Sequence, residues 1–331
     1  MSWFKNTLQQ EALGYEKTQG LLINNLIKKA PFLDTVPFIT STHGKKNNYI
    51  QLTGFKGADF RADNGLYAQM DGHFELKTER LGKLGGEMSL TEDIALDYAA
   101  GRTNDAKKAT EEWFSKITPT VLAAAGESLE RHLIYNVLQQ RAIAYSAGKT
   151  GVEKTCRNAG GTTSGQNYSI LIVKQNKEEN CGLVSPSGKN NDEVLYMEWE
   201  NGGQRHKLVS SDPEKNGRIG YAATWDGIIG YQVARPDQVG AIFNIDPSTT
   251  GAMVKLSDIL ELLAIVDADA SDTQIVMHPV LKAKIFGEKW DKVQLGTGDR
   301  NLITGFDRIE NIPIISTKQM AGGTEAVVSG F

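Results

Sequence analysis

Five histidines, two cysteines and a few glycine- or aspartate-rich stretches are the residues of this 331-residue sequence whose types could bind a metal, act as nucleophiles or hold a phosphate. His43, His73, His132, His206 and His278 are scattered, without the HxxxH or Cys/His spacing that a metal site needs. Cys156 and Cys181 form neither a CxxC site nor a disulfide framework, and they read as reduced cytosolic thiols. AGKT at 147–150 spells the end of a phosphate loop, but the glycine required five residues before Gly148 is replaced by Ile143. Gly296 and Gly298 begin a GxGxxG pattern whose third place is Asn301, outside a strand-to-helix setting, so a turn is expected there. Asp267, Asp269 and Asp272 have the look of a calcium loop, yet the glycine is missing and His278 occupies the place of the bidentate Glu. Asn167-Tyr168-Ser169 is a glycosylation sequon in spelling only, and no GxSxG nucleophile turn occurs. No catalytic, cofactor-binding or metal-binding residue is assigned, no cofactor is expected, and these residues do not describe an enzyme.

Composition narrows the class. Forty per cent hydrophobic and 23% charged residues are ordinary for a soluble globular chain of one to three domains. No apolar run approaches the ~18 residues of a membrane span, and the start MSWFKNTLQQEALGYEK lacks a signal-peptide pattern. Membrane and secreted classes are thus excluded in expectation. The net charge of −4 does not suit a protein that coats nucleic acid directly.

The elements follow from periodicity and turn residues. TQGLLINNLIKK (18–29) places Leu22, Ile23, Leu26 and Ile27 on one helical face, and PFLDTVPFIT after it reads as extended. Residues 49–90 alternate short β-like runs with glycines, which suits a long two-stranded excursion. Residues 104–147 carry the strongest helical signal: Phe114, Ile117, Val121, Ala125, Leu129, Leu133 and Val137 recur at three- and four-residue spacing, with Glu130 among the polar positions. Asn104 is the expected N-cap, Pro119 and Gly126 predict a kink or break, and an unbroken helix would reach about 65 Å at ~1.5 Å per residue. Residues 148–168 are a glycine- and serine-rich boundary. The runs SILIV, EVLYMEW, RHKLVS, GYQVA and GAIFNI read as strands. KLSDILELLAIV predicts a helix, TQIVMHP a strand leading to the helix VLKAKIFGEKW, and NIPIIS and EAVVSGF closing strands.

The order of these elements resembles the major capsid proteins of tailed bacteriophages, with their α+β Hong Kong 97-like fold. LLINNLIKKAPFLDTVPF (21–38) is similar to the family's arm helix and following strand, the excursion ending in LGGEMSLTEDIAL to its E-loop, and 104–147 to its spine helix. WDGIIGYQVARPDQVGAIFNID (225–246) is similar to a segment of short-tailed-phage coat proteins, and QIVMHPVLKAKI to EAVVSGF resembles the A domain. The resemblance implies an N-terminal arm at 1–30, an E-loop at 49–88, and a P domain from 31–48, 89–147 and 169–246. The A domain follows at 247–331.

What the resemblance implies for function is a shell of hexamers and pentamers of this chain, joined by heterologous contacts. It would enclose double-stranded DNA without reading its sequence, as a virion capsid made in the host bacterial cytoplasm. Scaffolding, portal and decoration proteins are the other expected partners; no membrane is. The arm lysines Lys5, Lys17, Lys28, Lys29, Lys45 and Lys46 are expected to pair with Asp59, Asp63, Asp71, Glu75 and Glu79 of another copy. Trp3, Phe4, Lys28, Lys29, Asp59, Arg61 and Asp63 are the expected contact residues between subunits. Lys56 lies in the loop where the family's prototype cross-links, but no acceptor or glutamate aligns with it. An encapsulin-type shell, a tail or adaptor protein, and a cytosolic α/β enzyme are the alternatives.

Overall fold

The computed structural model describes residues 30–57, 70–98, 105–177, 179, 181–186, 196–209, 215–249, 251–293 and 307–331. A 3₁₀ turn at Leu33–Thr35 precedes β1 (Phe38–Thr40), β2 (Lys46–Lys56), β3 (Asp71–Arg80) and β4 (Gly82–Thr91). The short helix α1 (Glu92–Tyr98) is followed by α2 (Ala106–His132), a π turn (Leu133–Leu138) and α3 (Gln139–Ser146). Seven strands come next: β5 (Cys156–Asn158), β6 (Tyr168–Lys174), β7 (Cys181–Ser185), β8 (Tyr196–Trp199), β9 (His206–Lys207), β10 (Ile219–Val233) and β11 (Val239–Ile245). Then come α4 (Leu256–Val266), β12 (Thr273–Met277), α5 (Pro279–Val293), β13 (Arg308–Ile309) and β14 (Ile312–Ser316). Among the described residues no helix is long and apolar enough to cross a membrane.

The helical run 106–146 spans about 60 Å at ~1.5 Å per residue. Its N-cap is Asp105, whose carboxylate accepts the Lys107 amide at 3.0 Å; Asn104, the cap expected from the sequence, lies outside the described residues. The expected break near Pro119 does not occur. Pro119 and Ser115 are both exposed, so the carbonyl that proline deprives of an amide faces water and the helix continues. The irregularity comes later, in the π turn, which carries the buried Leu133, Ile134 and Leu138.

Two sheets flank this helical frame. The first runs β13-β14-β12-β6-β11-β5, with β12–β14 and β11–β5 parallel and β6 antiparallel to both its neighbours. Both β6 and β11 are buried at every residue, as strands covered on two faces must be. Period-two alternation then splits their side chains. Leu171, Val173, Ala241 and Phe243 pack with Leu133, Ile134 and Leu138 of the π turn. Ile170, Ile172 and Ile242 pack with Leu262 of α4 and Leu281 of α5. The second sheet runs β1-β7-β10-β4, with β8 and β9 also on β10. Its Met88, Leu90, Tyr221 and Ala223 cover Ala106, Ala109 and Phe114 at the front of α2, where Phe114 stacks on Trp199 at 4.9 Å.

Several sequence expectations change here. The helix near 18–29 lies outside the described residues, and PFLDTVPFIT is a 3₁₀ turn followed by β1, not one extended run. The strands β6 and β11, expected with the P domain, share a sheet with β12 and β14 from beyond residue 247, so that boundary cuts through one hydrogen-bonded ladder. Residues 82–88, assigned to the excursion, belong to β4 and pair with β10. One of their glycines serves close approach: a Cβ at Gly85 would collide with the Trp225 carbonyl. β7 has no counterpart among the strands expected from the sequence; its Gly182 lies so close to the Pro37 carbonyl that no side chain fits. EAVVSGF is not a strand. It makes one bridge, Glu325 to Asn167, and then the Asn244 side chain pairs with both backbone groups of Val328, each at 2.8 Å.

Candidate assembly surface

The residues screened for catalysis are committed elsewhere. Cys156 and Cys181 are free and buried, and burial pushes their thiols up to about 11 and about 12. Lys149 of AGKT pairs with Glu153 at 3.2 Å. Asp267 caps α4 in a left-handed conformation, and Asp269 accepts both the amide and the hydroxyl of Ser271 within its turn. Asn167 of the sequon is fully buried. No group of three or more His, Cys, Asp or Glu able to hold a metal occurs among the described residues. Gly296, Gly298 and Asn301 lie outside them. So do all the expected contact residues: Trp3, Phe4, Lys28, Lys29, Asp59, Arg61 and Asp63.

What the structure does present is a ribbon. β2 and β3 form a separate two-stranded sheet, about 35 Å long at ~3.3 Å per residue. Directly opposed residues share a face, so the register assigns two sides. One side carries Asn47, Tyr49, Gln51, Glu75, Lys77 and Glu79; the other carries Asn48, Ile50, Phe74, Leu76 and Thr78. The polar side meets the body. Asn47 donates to Gln232 of β10, the Gln51 amide donates to the Ala234 carbonyl at 3.0 Å, and Arg141 of α3 donates to Glu79 at 2.6 Å. The Tyr49 hydroxyl is held above its ordinary value by burial and then by the neighbouring Glu79 charge. Lys77 and Glu75 pair within the strand at 2.5 Å. Two of the five acids expected to meet a neighbour's lysines are therefore already paired within the chain.

The opposite side is apolar and bare. Ile50, Phe74 and Leu76 are 69%, 68% and 70% exposed, with Ile50 directly across from Leu76. Met70, just before β3, is 66% exposed. A two-stranded ribbon lacking cover is marginal by itself, and a row of large apolar side chains in water marks a contact surface. The sequence contained the signal: apolar residues at 50, 52, 74 and 76 alternate with polar ones. Alternation by itself, however, looks the same for a strand facing its own core.

Two buried glutamates tie other parts of the chain to the helical frame. Glu130 of α2 has no exposed surface. Its carboxylate accepts the Phe32 amide at 3.1 Å, the Leu33 amide at 3.4 Å and the Thr317 hydroxyl, tying both flanks of the chain to one helix. Burial holds its carboxyl above the ordinary value, against the pull of those three donors. Glu325 accepts Tyr135 at 2.7 Å and Ser169 at 2.9 Å, both on one oxygen. The directions are fixed: the Ala321 amide donates to Tyr135 and Gln139 donates to Ser169, leaving each hydroxyl proton for Glu325. Burial raises this carboxyl as well.

No protein-family profile matches the chain, and no curated protein does. Solved structures do. A chain from the near-atomic structure of bacteriophage Epsilon15 is 13% identical, with a TM-score of 0.51, covering 89% of this chain and 88% of its own. A chain of the bacteriophage JBD30 capsid is 12% identical, also with a TM-score of 0.51, covering 87% and 90%. Likeness of this extent at so low an identity is likeness of fold. The chain has the α+β Hong Kong 97-like fold that the order of its sequence motifs implied.

Proposed function

We propose that this chain is a major capsid protein of a tailed bacteriophage, which self-assembles through heterologous contacts into an icosahedral head around double-stranded DNA. The observation that carries the reading is the two-stranded ribbon with its bare row of Ile50, Phe74 and Leu76, set on a fold shared along its length with a phage capsid chain. Covering each of these side chains with a second copy contributes roughly 1–2 kcal/mol, and the contact repeats at every subunit. In this reading the ribbon is the E-loop and residues 1–30 the arm, while the sheet holding β6, β11, β12 and β14, with α4 and α5, serves as the A domain. The role is structural and not enzymatic. Scaffolding, portal and decoration proteins are the further partners, the DNA is enclosed without sequence recognition, and the subunits are made in the host cytoplasm before joining the virion.

Negative-stain electron microscopy of the sedimentable fraction, for the chain alone and with its scaffold, tests this. Closed shells are expected from the wild type. Leu76→Asp and Phe74→Asp are expected to leave soluble subunits and no shells. Soluble wild-type monomers under both conditions would overturn the reading.

A further inference from the structure

The ribbon's polar face meets the body at two different kinds of element. Asn47 and Gln51 make neutral hydrogen bonds to β10 and the residue after it, at Gln232 and Ala234. Glu79 instead makes an ionic contact with Arg141 of α3, at 2.6 Å, with the Glu79 side chain only 20% exposed. Glu79 stands one pair from the end of the ribbon's ladder, opposite Asn47. A two-stranded ribbon pivots at its base, so a contact there sets the angle of its whole length. Lys77 and Glu75 pair with each other and give no such tie.

We propose that the Glu79–Arg141 ion pair is a latch that fixes the ribbon's angle to the helical frame, and thereby the direction in which Ile50, Phe74 and Leu76 meet a second copy. The second clause rests on the assembly reading above; the first does not. The test uses full-length dissociated subunits carrying Arg141→Glu, Glu79→Arg, both together, or Lys77→Glu as a charge control. Amide hydrogen exchange is followed across 46–51 and 75–80, and particle shape is scored by electron microscopy. Each single variant at the latch is expected to exchange about two- to fivefold faster in these segments, the range for a solvent-accessible pair. The charge-swapped double variant is expected to return to the wild-type rate, and Lys77→Glu to stay there. Particles from the single variants are expected to be irregular, with closed shells restored by the swap. Wild-type exchange in the single variants, or a double variant no slower than they are, would overturn the latch. If the wild type itself forms no particles, the assembly reading fails and takes the second clause with it, while the exchange rates still decide the first.

Discussion

Glu130 lies among three hydrogen-bond donors, the Phe32 and Leu33 amides and the Thr317 hydroxyl. Removing its side chain leaves the Phe32 and Leu33 amides buried without an acceptor, and unmet buried donors cost about 1–3 kcal/mol each. Glu130→Ala is therefore expected to lower stability by about 2–4 kcal/mol in urea denaturation. Glu130→Gln should keep the joint, because its oxygen accepts the two amides while its nitrogen donates to Thr317, the pattern of the protonated acid. The pH dependence has a definite sign. The unfolded carboxyl titrates near 4.5 and the folded one higher, so between those values the folded state binds more protons. Stability contributed by Glu130, and likewise by Glu325, falls as pH rises through that window and grows on acidification from neutrality toward 4.5. Urea midpoints measured upward from pH 4.5 should show this slope, and Glu130→Gln should remove the share of it that Glu130 contributes. None of this was legible beforehand. Glu130 sits on an amphipathic helix where a glutamate reads as surface charge, and its partners stand 98 and 187 residues away.

At the scale of elements, periodicity located what packing enforces. The frame 106–146, the helices α4 and α5, and the strands β6, β11, β12 and β14 all bury one or two regular faces, so their apolar spacing was readable. Three kinds of element escaped. β5 is three residues long and owes its strand form to parallel pairing with β11. β4 carries three glycines, of which Gly85 is required by the close approach of β10, and in sequence such a run looks like loop. The ribbon's bare face was indistinguishable from an inward one. Pro119 offers a test of the frame. Pro119→Ala restores an amide inside α2, a gain of up to about 3 kcal/mol, offset by about 0.4–1 kcal/mol of added unfolded-chain freedom. A net rise of about 1–2 kcal/mol is expected in thermal or urea unfolding. The ribbon predicts the opposite kind of result. Ile50, Phe74 and Leu76 touch little of their own subunit, so Leu76→Asp should alter subunit stability by no more than about 0.5 kcal/mol while abolishing particles.

For the whole molecule, the order of elements was legible and the contact surface was not. Residue order is a property of the chain, and five weak motifs in sequence constrain an architecture that each alone would not. A surface is defined by what it leaves uncovered, and that depends on where every other element packs. Of the acids expected to meet a neighbour's lysines, Asp59 and Asp63 lie outside the described residues and Glu75 and Glu79 are paired within the chain; the exposed row at 50, 74 and 76 is apolar.

Glu130 also imposes a timetable. Its carboxylate is shared by Phe32, synthesised long before it, and Thr317, which follows 187 residues later. At ~5–20 residues per second the ribosome needs about 10–40 s to cover that interval. Throughout it the nascent subunit has an unfilled seat on its central helix, and until its very end the first sheet lacks β14. A chain arrested before residue 317 should therefore remain open to protease, while one extended past 331 should resist it. The hydrogen bond between Glu130 and Thr317 thus cannot form until translation has passed β14, so the joint that ties the two flanks of the chain is among the last contacts to close.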